Sequence, residues 1–264
     1  MRTTWAALAC AGLIVGGAAV AEPPKTPAVT TASAKTEAAE APKSDRESLV
    51  KALSDSRTAL GKLRDYTCTF TRQEMRGGKL SAEEVAEMKV RTSPAGVYAR
   101  FAQPAEAAGM EVAYTAARKN QRVRYRPAGV AGAKGFQSAP LDDAKFLTSN
   151  RHPVSEWTMA AVIDRVSAAV AREKTLNNPV EVYAADYQFA GKNVTRYEIY
   201  TRRPHAFRYA HRMLVFVDKK TNLPLRYEAY DQPKPGASSG DLIEAYSFSD
   251  VKPNVGLGEN AFDY

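Results

Sequence analysis

From residue 45 onward the apolar positions recur first with a helical period and then with a period of two. Leu49, Leu53, Leu60 and Leu63 fall at 0, +4, +11 and +14, one stripe of a helix. Ser44-Asp45-Arg46-Glu47 has capping-box spacing, with Ser44 accepting from the first turn and Glu47 reaching back. The pattern predicts one amphipathic helix over roughly 45–62. In Asp65-Tyr66-Thr67-Cys68-Thr69-Phe70-Thr71 the aromatics and Cys68 share one face and three Thr share the other, a half-buried strand.

Further strands are expected at about 84–92, 96–103, 109–116 and 120–126, punctuated by Pro94-Ala95-Gly96 and Pro104. A second series is expected at about 180–189, 193–202, 208–218, 224–231 and 241–249. Between the two series, residues 127–153 are rich in Gly, Ala and Pro and read as a loop, with a helical turn near 141–147. Ser155-Glu156 then opens a helix over 155–172, with Met159, Ile163, Val166 and Val170 at 0, +4, +7 and +11. Short strands with tight links give a meandering antiparallel sheet rather than βαβ units. The fold class is therefore mainly β (α+β): a large curved sheet of about ten strands, an N-terminal helix, and a central helix as its cover.

The first residues change the address. Met1-Arg2, an apolar run from Trp5 to Val20 and Ala19-Val20-Ala21 ahead of Glu22 form a secretory signal peptide over 1–21. The run is short for a membrane span. Ala7 stands three before Cys10, where a lipoprotein signal favours Leu. Residues 22–44 hold four Pro, no aromatic, and Val29 as the one large aliphatic, a linker that cannot repay its ordering entropy. Residues 45–264 then form one domain. The whole chain of 264 residues carries +8. Cleavage after Ala21 leaves 36 Lys and Arg against 29 Asp and Glu, so +7, with Cys68 as the single thiol. In an exported protein such charge suits lipid head groups, wall polymers or acidic proteins better than nucleic acid.

Catalytic motifs are weak. Gly236-Ala237-Ser238-Ser239-Gly240 matches G-x-S-x-G, but a nucleophile elbow needs a strand before it and a helix after it. Here Asp231-Gln232-Pro233-Lys234-Pro235 precedes and a strand follows. His152, His205 and His211 have no metal-ligand spacing and read as ordinary polar positions. Cys68, between Tyr66 and Phe70, reads as a small buried hydrophobe. No catalytic residue, metal site or cofactor is assigned. A curved sheet with an apolar inner face and one helical cover can instead enclose a ligand; sequence alone does not separate that cavity from a filled core.

Three stretches carry a family resemblance. They are Leu63 to Glu74; Met88 to Arg91 with Pro94, Val97 to Phe101, Pro104 and Gly109 to Val112; and Val217 to Arg226 with the closing Tyr246 to Phe262. They resemble the periplasmic lipoprotein carriers of the LolA type, and more closely an uncharacterised bacterial envelope family of the same architecture. The resemblance implies an unclosed half-barrel with helices over a hydrophobic interior that holds acyl chains of lipids or lipoproteins. Such carriers latch the lid with an Arg before a Pro-containing turn. A gapless match puts Ser93 there, and Arg91, two residues earlier on the same strand face, is the latch candidate.

The expectation is thus a periplasmic, non-enzymatic, monomeric protein binding a lipid, acyl chain or lipidated protein. Trp157, Met159 and Ile163 would face down from the helix, and Phe101, Val112 and Tyr114 would face up from the sheet. An anionic membrane surface or an envelope protein is the further partner, nucleic acid is not, and no cofactor is expected. The alternative is an interaction module with a filled core that docks an envelope protein or wall polymer.

Overall fold

The computed structural model describes residues 45–118, 122–176, 180–201 and 208–264. The signal peptide, the linker, Ser44, Cys10 and His205 lie outside the described residues.

Helix α1 (Arg46–Gly61) buries Leu49, Leu53, Ser56 and Leu60. Asp45 stands at its N-cap but makes no side-chain cap. Its N–H donates to Val182 O and its carboxylate accepts from Ala184 N at 2.8 Å, which ties the helix start to a sheet edge. The strands are β1 (Asp65–Arg76), β2 (Lys79–Leu80), β3 (Glu84–Arg91), β4 (Gly96–Gln103), β5 (Glu111–Thr115), β6 (Arg122–Arg126) and β7 (Gln137–Pro140). After helices α2 (Ala144–Thr148) and α3 (Met159–Thr175) come β8 (Glu181–Phe189), β9 (Lys192–Tyr200), β10 (Arg212–Asp218), β11 (Pro224–Tyr230) and β12 (Leu242–Pro253).

All strand pairs are antiparallel, in the order β7-β6-β5-β4-β3-β1-β12-β11-β10-β9-β8, with β2 folded back on β1. The sheet is unclosed, and its two meanders join where the first strand pairs with the last. Two short strands extend the ten expected from the pattern. Gly77 and Gly78, with φ +55° and +79°, turn β1 into β2, as a two-residue hairpin with both central φ positive requires. Residues 137–140 carry no apolar alternation and gain strand form by pairing with β6.

Helix α3 starts at Met159 rather than at 155. Residues Val154–Glu156 form a 3₁₀ turn after Pro153, and Thr158 caps the helix by accepting from Ala161 N at 3.2 Å. Met159, Val162, Ile163, Val166 and Val170 face the sheet, and the helix covers its inner face. The G-x-S-x-G segment lies in the link between β11 and β12. Among the described residues no helix is long and apolar enough to cross a membrane.

Register sorts the inner face into rows across the sheet. Tyr66, Val90, Val97 and Tyr114 are successive cross-strand partners, as are Cys68, Met88, Ala99 and Val112. Phe70 pairs with Ala86 and Phe248, and Ala86 pairs with Phe101. Beyond the phenylalanines the same alternation places Arg72 beside Glu84 and Tyr246, and then Glu74 beside Glu244. One end of the inner face is thus apolar and the other ionic.

Candidate functional site

At the apolar end, the Tyr66–Val90–Val97–Tyr114 row is buried, and it forms part of the wall of a cleft that opens beside it. The cleft, of about 620 Å³, lies between this row, Leu60 and Gly61 of α1, and Ala160 and Ala161 of α3. Its rim carries Arg57, Arg91, Glu156 and Asp164. Arg57 Nη2 crosses to Asp164 Oδ1 at 2.9 Å and so joins α1 to α3 over the opening. Tyr66 is held by Met159 N, which donates to its hydroxyl at 3.3 Å. The volume falls within the roughly 300–1,000 Å³ of small-molecule sites.

The middle rows are plugged. Trp157 stacks on Phe70 and Phe146 with centroids 6.2 and 6.4 Å away, and meets Phe101 edge-on at 6.3 Å. Its indole N–H donates to His152 O at 3.1 Å. The Arg72 guanidinium lies 4.0 Å from the Trp157 ring centroid and 5.3 Å from that of Phe101.

The far end holds a buried charge cluster. Arg72 Nε donates to Glu84 at 2.5 Å and Nη2 to Asn150 Oδ1 at 2.9 Å, and Arg76 donates to both Glu74 and Glu84. Glu74, fully buried, also accepts from the Tyr246 hydroxyl and from Arg151 N. Burial works to raise its pKa, but Arg72, the Tyr246 hydroxyl and the other partners outweigh it and hold the carboxyl below its ordinary value. Glu244, equally buried, meets His152 Nε2 at 2.7 Å and Arg165 Nη1 at 3.5 Å. The other His152 nitrogen is 3.3 Å from Glu156. Burial opposes the imidazolium, but these two carboxylates win and raise the His152 pKa. The bidentate Arg208–Glu173 pair, at 2.7 and 2.8 Å, fixes the C-terminal half of α3.

Each carboxylate in this cluster is matched by a cation or donor, and of the cluster only Glu156 lines the cleft. Among the described residues no group of three or more His, Cys, Asp or Glu is placed to hold a metal. Cys68 is buried on the inner face, and burial pushes its thiol pKa up.

A family model described as "Protein of unknown function (DUF1571)" matches residues 63–264. The chain belongs to this family. Among curated proteins, no relative matches it. Solved structures resembling this DUF1571 member include an uncharacterised conserved protein from Thermus thermophilus, at 10% identity and TM-score 0.47, covering 82% of this chain and 93% of that one. The Mycobacterium tuberculosis lipoprotein LppX shares 13% identity at TM-score 0.45, over 80% and 98% of the two chains. A LolA superfamily protein from Nitrosomonas europaea shares 9% at TM-score 0.33, over 81% and 97%.

In this DUF1571 member, Phe101, Val112, Tyr114, Trp157, Met159 and Ile163 are all buried in one apolar cluster. Of these six, Tyr114 alone lines the cleft; the other five pack within the filled interior. Arg91 follows inward-facing Val90, so alternation turns it to the opposite face of the sheet from α3. There its Nε donates to Pro94 O at 3.0 Å and its guanidinium lies over the Phe262 ring at 5.0 Å. These contacts hold the C-terminal segment; Arg91 also borders the cleft beneath α3, and among the described residues it makes no ion pair with that helix. Gly96 packs closely beside Phe262: a Cβ there would stand 3.1 Å from the same ring, which would have to shift by a few tenths of an ångström. The groups that hold α3 are Arg57, Arg165 and Arg208, through Asp164, Glu244 and Glu173.

Proposed function

We propose that this DUF1571 member is an exported, non-enzymatic protein of the periplasm that binds an acyl chain, of a lipid or a lipidated protein, in the cleft over Tyr66, Val90, Val97 and Tyr114. The reading rests on one observation: a cleft of about 620 Å³ lies beside this buried row, between α1 and α3, with an aliphatic and aromatic wall toward the sheet and charged and hydroxyl groups at its rim. Burying hydrocarbon gains about 0.8 kcal/mol per methylene. About ten methylenes therefore offer roughly 8 kcal/mol, the scale of a micromolar complex before the cost of lost freedom is subtracted. No charged partner or cofactor is needed for that gain. The signal-peptide pattern over residues 1–21 supports export.

The test is native mass spectrometry of the protein purified from periplasm, with titration of a fluorescent acyl probe into delipidated protein. An associated lipid mass, or saturable probe binding that weakens at least tenfold in Ala161→Trp, is the expected result. The substitution fills the cleft from α3, and Arg72, Glu74 and Glu244 of the ionic cluster do not line that cleft. The plugging of the interior by Trp157 supports a second reading, an interaction module that docks an envelope protein through its surface. Neither lipid mass nor saturable binding would decide for that module.

A further inference from the structure

Residues 112–141 contain six Arg and Lys and no Asp or Glu. They build one side of the sheet, from β5 through β6 to β7, which is its last strand there and leaves that edge unpaired. Val123 is buried in the core, so alternation turns Arg122, Arg124 and Arg126 to the outer face, about 7 Å apart along β6.

The link between β6 and β7 is an apolar tip. Its 3₁₀ turn, Gly129–Lys134, buries none of its residues. Val130 on this turn is 92% exposed, the most exposed large apolar side chain among the described residues. Apart from Lys134, the other members are Gly and Ala. The turn has a built shape: a Cβ on Gly132 would collide with Pro127 O, so the position takes only glycine. Gly132 thereby folds back against the end of β6, and Val130 is left without a packing partner.

Five cations lie on this edge and its outer face: Arg118, Arg122, Arg124, Arg126 and Lys134. Two acids meet them. Buried Glu111 is bound by Arg126, and Asp263 by Arg118 at 2.5 Å, with Arg124 acting on Asp263 from further off. Arg122 donates to Ser138 Oγ at 2.8 Å and to Ser138 O at 3.0 Å. Neither Arg122, Arg124 nor Lys134 has an ion pair among the described residues. Asp142 and Asp143 follow β7 at the end away from the tip, and Glu106 in the β4–β5 link is the acid on the tip's side.

Cations behind a protruding apolar tip are complementary to a bilayer. The charges meet anionic head groups while the valine enters the boundary between head groups and chains. An acidic protein or polymer would use the cations and leave the valine idle. We propose that the β6–β7 edge docks on a leaflet containing anionic phospholipid, with Val130 inserted at head-group level and Arg122, Arg124 and Lys134 on lipid phosphates. The surface is separate from the cleft and does not depend on what the cleft binds.

The test is sedimentation of protein purified from periplasm with vesicles of phosphatidylcholine alone or mixed with an equal share of phosphatidylglycerol. Binding to the anionic vesicles only, weakening as salt is added, is the expected result. Arg124→Gln/Lys134→Gln, which removes no hydrogen bond, should lower partitioning about thirtyfold. Val130→Asn should lower it about fivefold. Lys192→Gln/Lys220→Gln removes the same charge from exposed positions toward the opposite edge of the sheet and should change partitioning less than about threefold. No preference for the anionic vesicles, or an equal loss in this second pair, overturns the docking surface. Val130→Asn binding like wild type overturns it too, and assigns the cations to an anionic polymer or protein.

Discussion

The two ends of the inner face share their strands but solve burial in opposite ways. β1 contributes Tyr66, Cys68 and Phe70 toward one end and Arg72 and Glu74 toward the other, at successive inward positions. β12 mirrors it with Phe248, Tyr246 and Glu244. The apolar end has few polar groups to satisfy, among them the Tyr66 hydroxyl, which accepts from Met159 N, and a cleft opens beside it. The ionic end has no such latitude. A charge withdrawn from water costs several kcal/mol unless it is paired and hydrogen-bonded. Loop residues Asn150, Arg151 and His152 are accordingly drawn down onto Arg72, Glu74 and Glu244. The apolar end borders a cleft, whereas a matched charge cluster fixes the cover's far end.

The sharpest way to break this division is Arg72→Ala. It strands Glu84 and Glu74 beside one remaining arginine, Arg76, and removes the cation from the Trp157 ring. A loss of about 3–5 kcal/mol is expected in denaturant unfolding. Trp157→Ala attacks the boundary between the ends. It removes the plug shared by Phe70, Phe101 and Phe146, and about 3–5 kcal/mol should again be lost, with an apolar hollow joined to the cleft. If either variant melts within 1 kcal/mol of wild type, the far end is not the anchor of the cover.

Much of this was legible in the residues, up to a definite point. Period two over Tyr66 to Phe70 places the inner face of β1, and the Met159–Ile163–Val166 stripe places that of α3. The same period, carried two steps further, points Arg72 and Glu74 inward, but a charged residue after an apolar run ordinarily marks a solvated strand end. Only the partners reveal otherwise, and they lie 12, 78 and 172 residues away in Glu84, Asn150 and Tyr246. His152, which looks like a lone polar residue before a proline, takes its role from Glu244, 92 residues on. Arg91 shows the converse. Its neighbour Val90 already signals that Arg91 lies on the other face of the strand, and it is a latch candidate only because it stands two residues before Ser93, where the gapless family match falls. The cleft was out of reach for a different reason: it exists because small residues, Gly61, Ala160 and Ala161, stand opposite the Tyr66 row, and absent side chains leave no periodic trace.

His152 makes the ionic end sensitive to pH in a direction that follows from its partners. Its pKa is raised above the ordinary 6.5. A protonated ring can donate to Glu244 and Glu156 at once, while a neutral ring must turn a lone pair toward one of them. The stabilisation is therefore fully present below the unfolded value and is lost as pH rises through the higher folded one. Glu244 and Glu156 are held low, so their share is present above the ordinary carboxyl range and is lost as pH falls through their folded values. Thermal melts of His152→Gln should show a deficit of about 1–3 kcal/mol near pH 5.5 that narrows toward pH 9. A deficit constant with pH would mean that the ring acts by shape alone.

The smallest effect is expected from Arg57→Gln, and its smallness is informative. Arg57 and Arg72 each pair with a carboxylate within 3 Å, yet the side chains of Arg57 and Asp164 are 51% and 68% exposed while Arg72 is 2% exposed. Exposed pairs contribute about 0–1 kcal/mol and are screened by salt. Unfolding of Arg57→Gln should therefore lie within about 1 kcal/mol of wild type at low salt and coincide with it at 1 M NaCl, whereas the Arg72→Ala deficit should persist. If salt leaves the Arg57 difference intact, the bridge over the cleft is shielded from solvent, and the cleft end is closed more firmly than the exposure of these two side chains implies. Coincidence of the curves would instead mean that α3 is anchored at its ionic side and only loosely strapped over the cleft, the asymmetry that admitting an acyl chain between α1 and α3 requires.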